Sequence, residues 1–334
     1  MHLPNRIIAE IGSVHDGSFG NAIKLIELAK ECGADAAKFQ LHLAKFESIK
    51  DAPNPNFFKD ESRFEYFDRT SFTSLQWQKI ANFCKSIDIE FICSPFSVEA
   101  LDILLDIGVD AIKIASGELT NLDLIEKSVH SGKTVYISTG MSNYLEIESA
   151  IGIIQKSKES KNVVLMQCTS LYPCPPEFAG VNIINEYKSR FNVPVGFSDH
   201  TNTNSAAIIS AYLGANHIEK HITFSNFMYG SDAKFAYTPD RFKSYVEEVK
   251  SSWVLRDNPV DKNNINNLIE SRMVFQKSLT LSKDLKKGSI ISRGDLVLKK
   301  PGSGLPYSSL TDLIGKKVFR DLKIDYQIKF EDFE

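Results

Sequence analysis

Residues 108–140 read GVDAIKIASGELTNLDLIEKSVHSGKTVYISTG. The apolar run Ala111–Ser116 has strand length, and Leu122–His130 after it repeats its apolar residues every three or four positions. A second short run, Thr134–Thr139, closes the unit. Gly108 and Gly132 stand just before the two runs, where glycine ends a helix and turns the chain into a strand. Strands that are apolar without alternation are covered on both faces, which is the signature of a parallel sheet. The same unit recurs on both sides. Strands are predicted over Ile7–Gly12, Ala36–Gln40, Glu90–Pro95, Val163–Thr169, Val193–Asp199 and His217–Ile222. Helices are predicted over Asn21–Cys32, Leu75–Ile87, Val98–Ile107, Leu145–Ser157, Val181–Phe191, Ser205–Leu213 and Arg241–Leu255. Eight strand–helix units over about 250 residues predict a (β/α)8 barrel. The competitor is a doubly wound open sheet, but Gly12–Gly17 is no GxGxxG phosphate turn.

The pattern breaks at Arg256. Expected boundaries are a catalytic barrel over 1–256, a linker over 257–271 rich in Asn, Asp and Lys, and a small β-rich module over 272–334. The module shows strand-like pieces at Ser278–Leu281, Leu296–Leu298 and Lys316–Phe319. Leu41–Ser71, polar and aromatic, reads as a long inserted loop. The 334 residues carry 39 Lys+Arg against 42 Asp+Glu, a net charge of -3, which gives no global reason to bind nucleic acid. No apolar run reaches the ~18 residues of a membrane span. Met1–Glu10 lacks the order of a signal peptide. The five cysteines form no CxxC pair and read as reduced thiols in a cytoplasm.

In a barrel of this kind chemistry collects at the C-terminal strand ends. Unusual polar residues fall there in every unit. Glu10 is followed by His15-Asp16. Lys38 precedes Gln40, Cys93 precedes Ser94, and Lys113 leads to Ser116 and Glu118. Ser138, then Cys168 with Ser170 and Tyr172, then Ser198 with His200, and finally Glu219 with His221 complete the set. Two ammonium groups beside serine hydroxyls suit a phosphate, a carboxylate, or a ligand with both. The bland alternative pairs the lysines with Glu10, Glu118 or Glu219. His200 and His221 end adjacent strands, ~4.8 Å apart, and can share one divalent ion. With no HExxH and no third histidine near, Mn²⁺, Mg²⁺ or Co²⁺ is expected rather than caged zinc. His2, His42, His130 and His217 read as surface or core. Two other readings stay open. One is a barrel aldolase using Lys38 or Lys113 as a Schiff-base nucleophile. The other is a non-catalytic sugar-binding protein.

The chain resembles the sialic acid synthase family. The resemblance lies in Ile8-Ala9-Glu10-Ile11-Gly12 with His15-Asp16-Gly17, Lys38-Phe39-Gln40, Ser94-Pro95-Phe96-Ser97 and Lys113-Ile114-Ala115-Ser116-Gly117-Glu118. It continues in Ser138-Thr139-Gly140-Met141, Cys168-Thr169-Ser170-Leu171-Tyr172-Pro173, Gly196-Phe197-Ser198-Asp199-His200-Thr201 and Glu219-Lys220-His221. The tail from Lys283 through Lys300-Pro301-Gly302 resembles that family's antifreeze-like SAF module. The resemblance implies condensation of phosphoenolpyruvate with an N-acylated hexose, either N-acetylmannosamine or a 2,4-diacetamido-trideoxy sugar. It implies phosphoenolpyruvate on Lys38, Gln40, Ser94, Lys113, Ser116, Ser138, Ser170 and Ser198. It implies a metal on His200 and His221, and sugar contacts from Asp16, Glu118, Tyr172, Asp232 and Lys300. Asp16, standing where some members of that family have a catalytic glutamate, is the expected proton shuttle or water-activating group. A domain-swapped homodimer is implied as well. One departure is Lys300, which stands where the family usually has arginine.

Overall fold

A computed structural model describes residues 4–55, 58–157 and 162–334. Two compact units form, Met1–Asn258 and Pro259–Glu334.

The first unit is a closed barrel of eight parallel strands in chain order. Its elements begin with β1 (Arg6–Gly12), α1 (Phe19–Glu31), β2 (Ala36–Leu41), α2 (Ala44–Glu47), α3 (Arg63–Thr70), α4 (Ser74–Ser86), β3 (Glu90–Pro95) and α5 (Val98–Asp106). They continue with β4 (Ala111–Ile114), α6 (Leu122–His130), β5 (Thr134–Ser138), α7 (Tyr144–Lys156), β6 (Val163–Gln167) and α8 (Ile183–Phe191). Then come β7 (Val195–Asp199), α9 (Ser205–Leu213), β8 (His217–His221) and α10 (Pro239–Asp257). Pairing of β1 with both β2 and β8 closes the ring, and its register sets Glu10 beside Lys38 on one side and His221 on the other.

Side chains alternate across each strand, so every second residue points into the barrel. The lower interior layer is mainly apolar: Ile8, Ala36, Ile92, Ala111, Tyr136, Val164 and Met166 pack together. Two residues further along most strands the inward position turns polar, giving Glu10, Lys38, Ser94, Lys113, Ser138, Ser198 and Glu219, all buried. The outward positions meet the helices in one large apolar core. Lys220 belongs to that outer layer. Its ammonium lies 3.1 Å from Asp199 and 4.2 Å from the centre of the Tyr237 ring, so it belongs to no strand-end site.

The stretch expected to be one long loop carries two helices, α2 and α3, with residues 56–57 outside the described part. Ser62 caps α3 by accepting from the amide of Glu65, and Asn54 accepts from the amide of Arg63. Short capped helices of this kind leave little apolar periodicity to read. In the second unit, α11 (Ile269–Phe275) begins inside the stretch expected to be linker. Two antiparallel strands follow, β9 (Ser278–Leu281) and β10 (Leu296–Lys299), and then α12 (Leu310–Leu313). Lys316–Phe319 forms only isolated bridges, at Lys317 and Val318, rather than a strand. A separate core of Leu279, Leu281, Leu296, Leu313, Val318 and Ile328 holds this unit. No described helix is long and apolar enough to cross a membrane. All five cysteines are free and buried.

Candidate active site

A cavity of about 400 Å³ opens at the C-terminal ends of the strands. Lys38, Gln40, Ser94, Lys113, Ser116, Ser138, Ser170, Tyr172, Ser198, His200, His221 and Asp232 all line it.

The lysines do not stand alone. Lys38 Nζ lies 2.7 Å from Glu10 and 3.5 Å from Glu219, and Lys113 Nζ lies 3.6 Å from Glu219. The expectation of open anion sockets is corrected here: both amines have carboxylate partners, while the cavity above them remains open. The two carboxylates differ. Burial pushes Glu219 upward, but Lys113, Lys38 and the two histidines reverse this and hold it at about 2. Burial raises Glu10, which Lys38 only partly offsets and the neighbouring Glu219 charge reinforces. Burial also lowers Lys113, against the pull of Glu219. For Lys38 the opposing pull of Glu10 and Glu219 exceeds burial, and its pKa is raised. Glu10 therefore holds a proton more readily than Glu219 does, and its buried Oε2 has the Lys38 ammonium as its partner.

Gln40 extends the site away from Glu10. Its amide nitrogen donates to Glu10 Oε1 at 2.7 Å, and its oxygen meets His42 Nε2 at 3.1 Å. His42 Nδ1 sits 2.9 and 3.0 Å from the two Glu47 oxygens. The ring is clamped between Phe67 and Phe96, with centroids 3.6 and 4.1 Å away. With a neutral ring that donates to Glu47, the turned-over amide also satisfies the chain: it donates to Nε2 and its oxygen accepts from protonated Glu10. His42 is buried, as expected, and it also lines the cavity.

The serines gather around a backbone amide. Ser116 Oγ accepts from the amide of Gly140 at 3.0 Å, and the amide of Ser170 donates to the Gly140 carbonyl at 3.0 Å. A Cβ on Gly140 would lie 2.4 Å from Ser170 Oγ and 2.8 Å from Ser116 Oγ, so any side chain would fill this cradle. Gly12 plays a similar part on the other side. Its φ of +54° is left-handed, and a Cβ there would stand 2.7 Å from Asp232 Oδ2 and 3.3 Å from Glu10 Oε1. Ser138 Oγ is buried with no hydrogen bond, a donor left for a ligand.

His200 and His221 face each other with ring centroids 5.8 Å apart. His200 Nδ1 bonds the Thr169 carbonyl at 2.9 Å, which places its proton there and leaves the Nε2 lone pair free. Burial lowers His200, but the Cys168 sulfur, 3.9 Å from Nδ1, more than offsets that. His221 is held down at about 4 by burial, and its Nδ1 is buried with no hydrogen bond. Two imidazole nitrogens without other occupation fit a divalent ion that takes its remaining ligands from water or substrate. Among the described residues no group of three or more His, Cys, Asp or Glu is placed to hold a metal ion.

Three expected residues fall elsewhere. Asp16 does not line the cavity: its left-handed φ of +49° turns the loop, and its carboxylate pairs with Arg69 at 2.9 Å. Glu118 also stands outside the lining and binds the Asn121 amide at 2.9 Å. Lys300 is an exposed residue of the second unit, its ammonium 5.4 Å from the Phe275 ring. Expected surface or core histidines divide as well. His217 is buried, His130 is exposed, and His2 lies outside the described residues. Sequence reasoning used Glu10 and Glu219 only as lysine partners and missed Arg63 as a wall residue. The two-residue strand period picks out Glu10 and Glu219; nothing comparable marks Arg63, at the start of α3.

Comparison with known proteins supplies the family. The NeuB family pattern matches residues 25–260 and the SAF domain residues 276–334. The chain belongs to the NeuB family. It is 32% identical to the N,N'-diacetyllegionaminic acid synthase of Campylobacter jejuni, over 97% of this chain and 98% of that one. It is 28% identical to human N-acetylneuraminate-9-phosphate synthase, over 98% of this chain and 92% of that one. The solved N-acetylneuraminic acid synthetase of Leptospira borgpetersenii, in complex with citrate, superposes with a TM-score of 0.70 at 28% identity, covering 81% of this chain and 92% of that one. This NeuB-family chain is accordingly an enzyme of the synthase, carbon–carbon bond-forming transferase class.

Proposed function

We propose that this NeuB-family enzyme joins phosphoenolpyruvate to the open-chain form of an N-acylated sugar and releases inorganic phosphate, forming a nonulosonic acid. The observation that supports this best is the shared cavity: two buried lysines bridged by Glu219 on its floor, hydroxyl donors around Gly140, and two facing imidazoles on its wall.

Lys38 and Lys113, with Ser94, Ser116, Ser138, Ser170 and Ser198, hold the carboxylate and phosphate. Tyr172 and Asp232 face the sugar hydroxyls. His200 and His221 would hold a divalent ion, Mn²⁺ first, with Mg²⁺ and Co²⁺ as alternatives; bound there, it supplies Lewis-acid polarisation of the aldehyde. C3 of phosphoenolpyruvate attacks the aldehyde carbon and the new alkoxide takes a proton. Glu10 carries that proton in this scheme, because its carboxyl is raised by burial and lines the cavity beside Lys38. Water adds at C2, and phosphate departs with cleavage of its bond to that carbon. In this reading the second units are exchanged between the chains of a homodimer.

The lowered pKa of Lys113 also suits an amine nucleophile, the property a Schiff-base aldolase needs. One experiment separates the two. The chain, supplied with phosphoenolpyruvate, Mn²⁺ and N-acetylmannosamine or a 2,4-diacetamido sugar, should release phosphate, and chelation should stop it. Phosphate release absent for all acceptors, or a borohydride-trapped adduct on Lys38 or Lys113, would defeat the proposal.

A further inference from the structure

Arg63 is the cation of this cavity that its surroundings leave uncompensated. Its side chain lines the cavity from the start of α3, and its Nε is buried with no hydrogen bond. Its backbone amide is spent on Asn54 Oδ1 at 2.7 Å, but its guanidinium forms no ion pair or hydrogen bond among the described residues. Lys38 and Lys113, by contrast, are both matched by carboxylates. A buried donor without a partner is costly and points to a partner that arrives with a ligand.

The surroundings of Arg63 define that ligand. The guanidinium carbon stands 5.3 Å from the centre of the Phe67 ring, and Phe58 and Phe96 line the same cavity. Glu118 is close enough to be influenced by the Arg63 charge without pairing with it, and Asp232 closes the rim. A phosphate dianion in this place would meet one cation, within reach of the opposing Glu118 charge. A neutral amide meets a better match: its carbonyl oxygen accepts from the guanidinium while its methyl lies on the rings.

We infer that Arg63 is the specificity-determining residue for the acceptor, binding the acyl oxygen of an unphosphorylated N-acyl sugar. The inference rests on the synthase reading above and names the acceptor class for it. The test is steady-state kinetics on the full chain with Mn²⁺ and phosphoenolpyruvate. The acceptor panel is N-acetylmannosamine, mannosamine, N-acetylmannosamine 6-phosphate and a 2,4-diacetamido sugar, run against wild type, Arg63→Gln and Arg63→Lys. Loss of a charged hydrogen bond predicts an acceptor KM raised roughly 10- to 100-fold in Arg63→Gln, with the KM for phosphoenolpyruvate unchanged. Arg63→Lys should recover part of the loss, because the charge returns without the fork. Wild type should prefer an N-acylated acceptor to the free amine, and Arg63→Gln should lose that preference.

An unchanged acceptor KM in Arg63→Gln would overturn the inference while leaving the synthase reading intact. So would a wild-type preference for the 6-phosphate, or equal damage to both KM values. Turnover with no acceptor at all would remove the synthase reading, and this inference with it.

Discussion

At the lower end of the barrel, Asp35 accepts from the amide of Ile7 at 2.7 Å, Asp110 accepts from the amide of Phe91 at 2.9 Å, and Glu90 lies 3.4 Å from Arg6. At the upper end, Glu10 and Glu219 accept from no backbone amide among the described residues and share two lysines beneath open space. The lower end also has the larger hollow, about 710 Å³ against about 400 Å³. Volume therefore does not mark the site. Below, two of the carboxylates secure the strands' own amides, and the strand ends are held by them. Above, Ser138 Oγ and His221 Nδ1 are buried without hydrogen bonds on residues that line the cavity. Single buried atoms without hydrogen bonds occur below as well, at Glu90 Oε2 and His217 Nδ1; what sets the upper end apart is that its unspent hydroxyl and imidazole share one cavity with two buried lysines.

That contrast can be broken from either end. The largest effect is expected for Lys38→Met, which removes the cation between Glu10 and Glu219. Its kcat/KM should fall about 10³-fold or more, since an electrostatic contact of the reacting anion is lost. Calorimetry should show the destabilisation that follows when two buried carboxylates lose their partner. Near-normal turnover would mean that the upper carboxylates and amines are as purely structural as the lower ones.

The next effect sharpens the assignment within the upper end. Glu10→Gln should lower kcat about 10²-fold while phosphoenolpyruvate still binds. Asp16→Asn, outside the cavity and paired with Arg69, should change kcat by no more than about 3-fold. The reverse ranking would return the proton to Asp16.

The smallest effect belongs to the lower end. His217, its ring centroid 5.3 Å from that of Tyr136, is held down at about 4 by burial. A base whose folded pKa lies below its unfolded value stabilises the fold above that unfolded value, near 6.5, and loses the contribution as pH falls toward 4. Unfolding free energy should drop by about 2 kcal/mol from this group between pH 7 and pH 5. Chemical denaturation across that range should show the slope, and His217→Gln should flatten it. An unaltered slope in the variant would show that His217 does not carry it.

Much of this architecture was legible because it is local. Strand runs such as Thr134–Ser138 and the helix Leu122–His130 carry their period in the chain, and the eightfold alternation fixes how many strands must close. The collection of Lys38, Lys113, His200 and His221 at one end followed from the same count. Lys220 was harder to place, since its strand neighbours Glu219 and His221 both face the cavity; only the two-residue alternation sends it outward to Asp199. The helices α2 and α3 were illegible. They are short, and what positions them is the contact of His42 with Phe67 and the cap at Ser62, not a repeating apolar face.

The sequence alone determined the barrel, the tail module and the residue types gathered at the strand ends, because hydrophobic period and glycine punctuation act within a few residues. Tertiary structure alone decided which carboxylate meets which amine, that Asp16 turns away to Arg69, and that Arg63 enters the wall. Those outcomes depend on burial and on distances between residues far apart in the chain, and Coulomb energies change steeply with both.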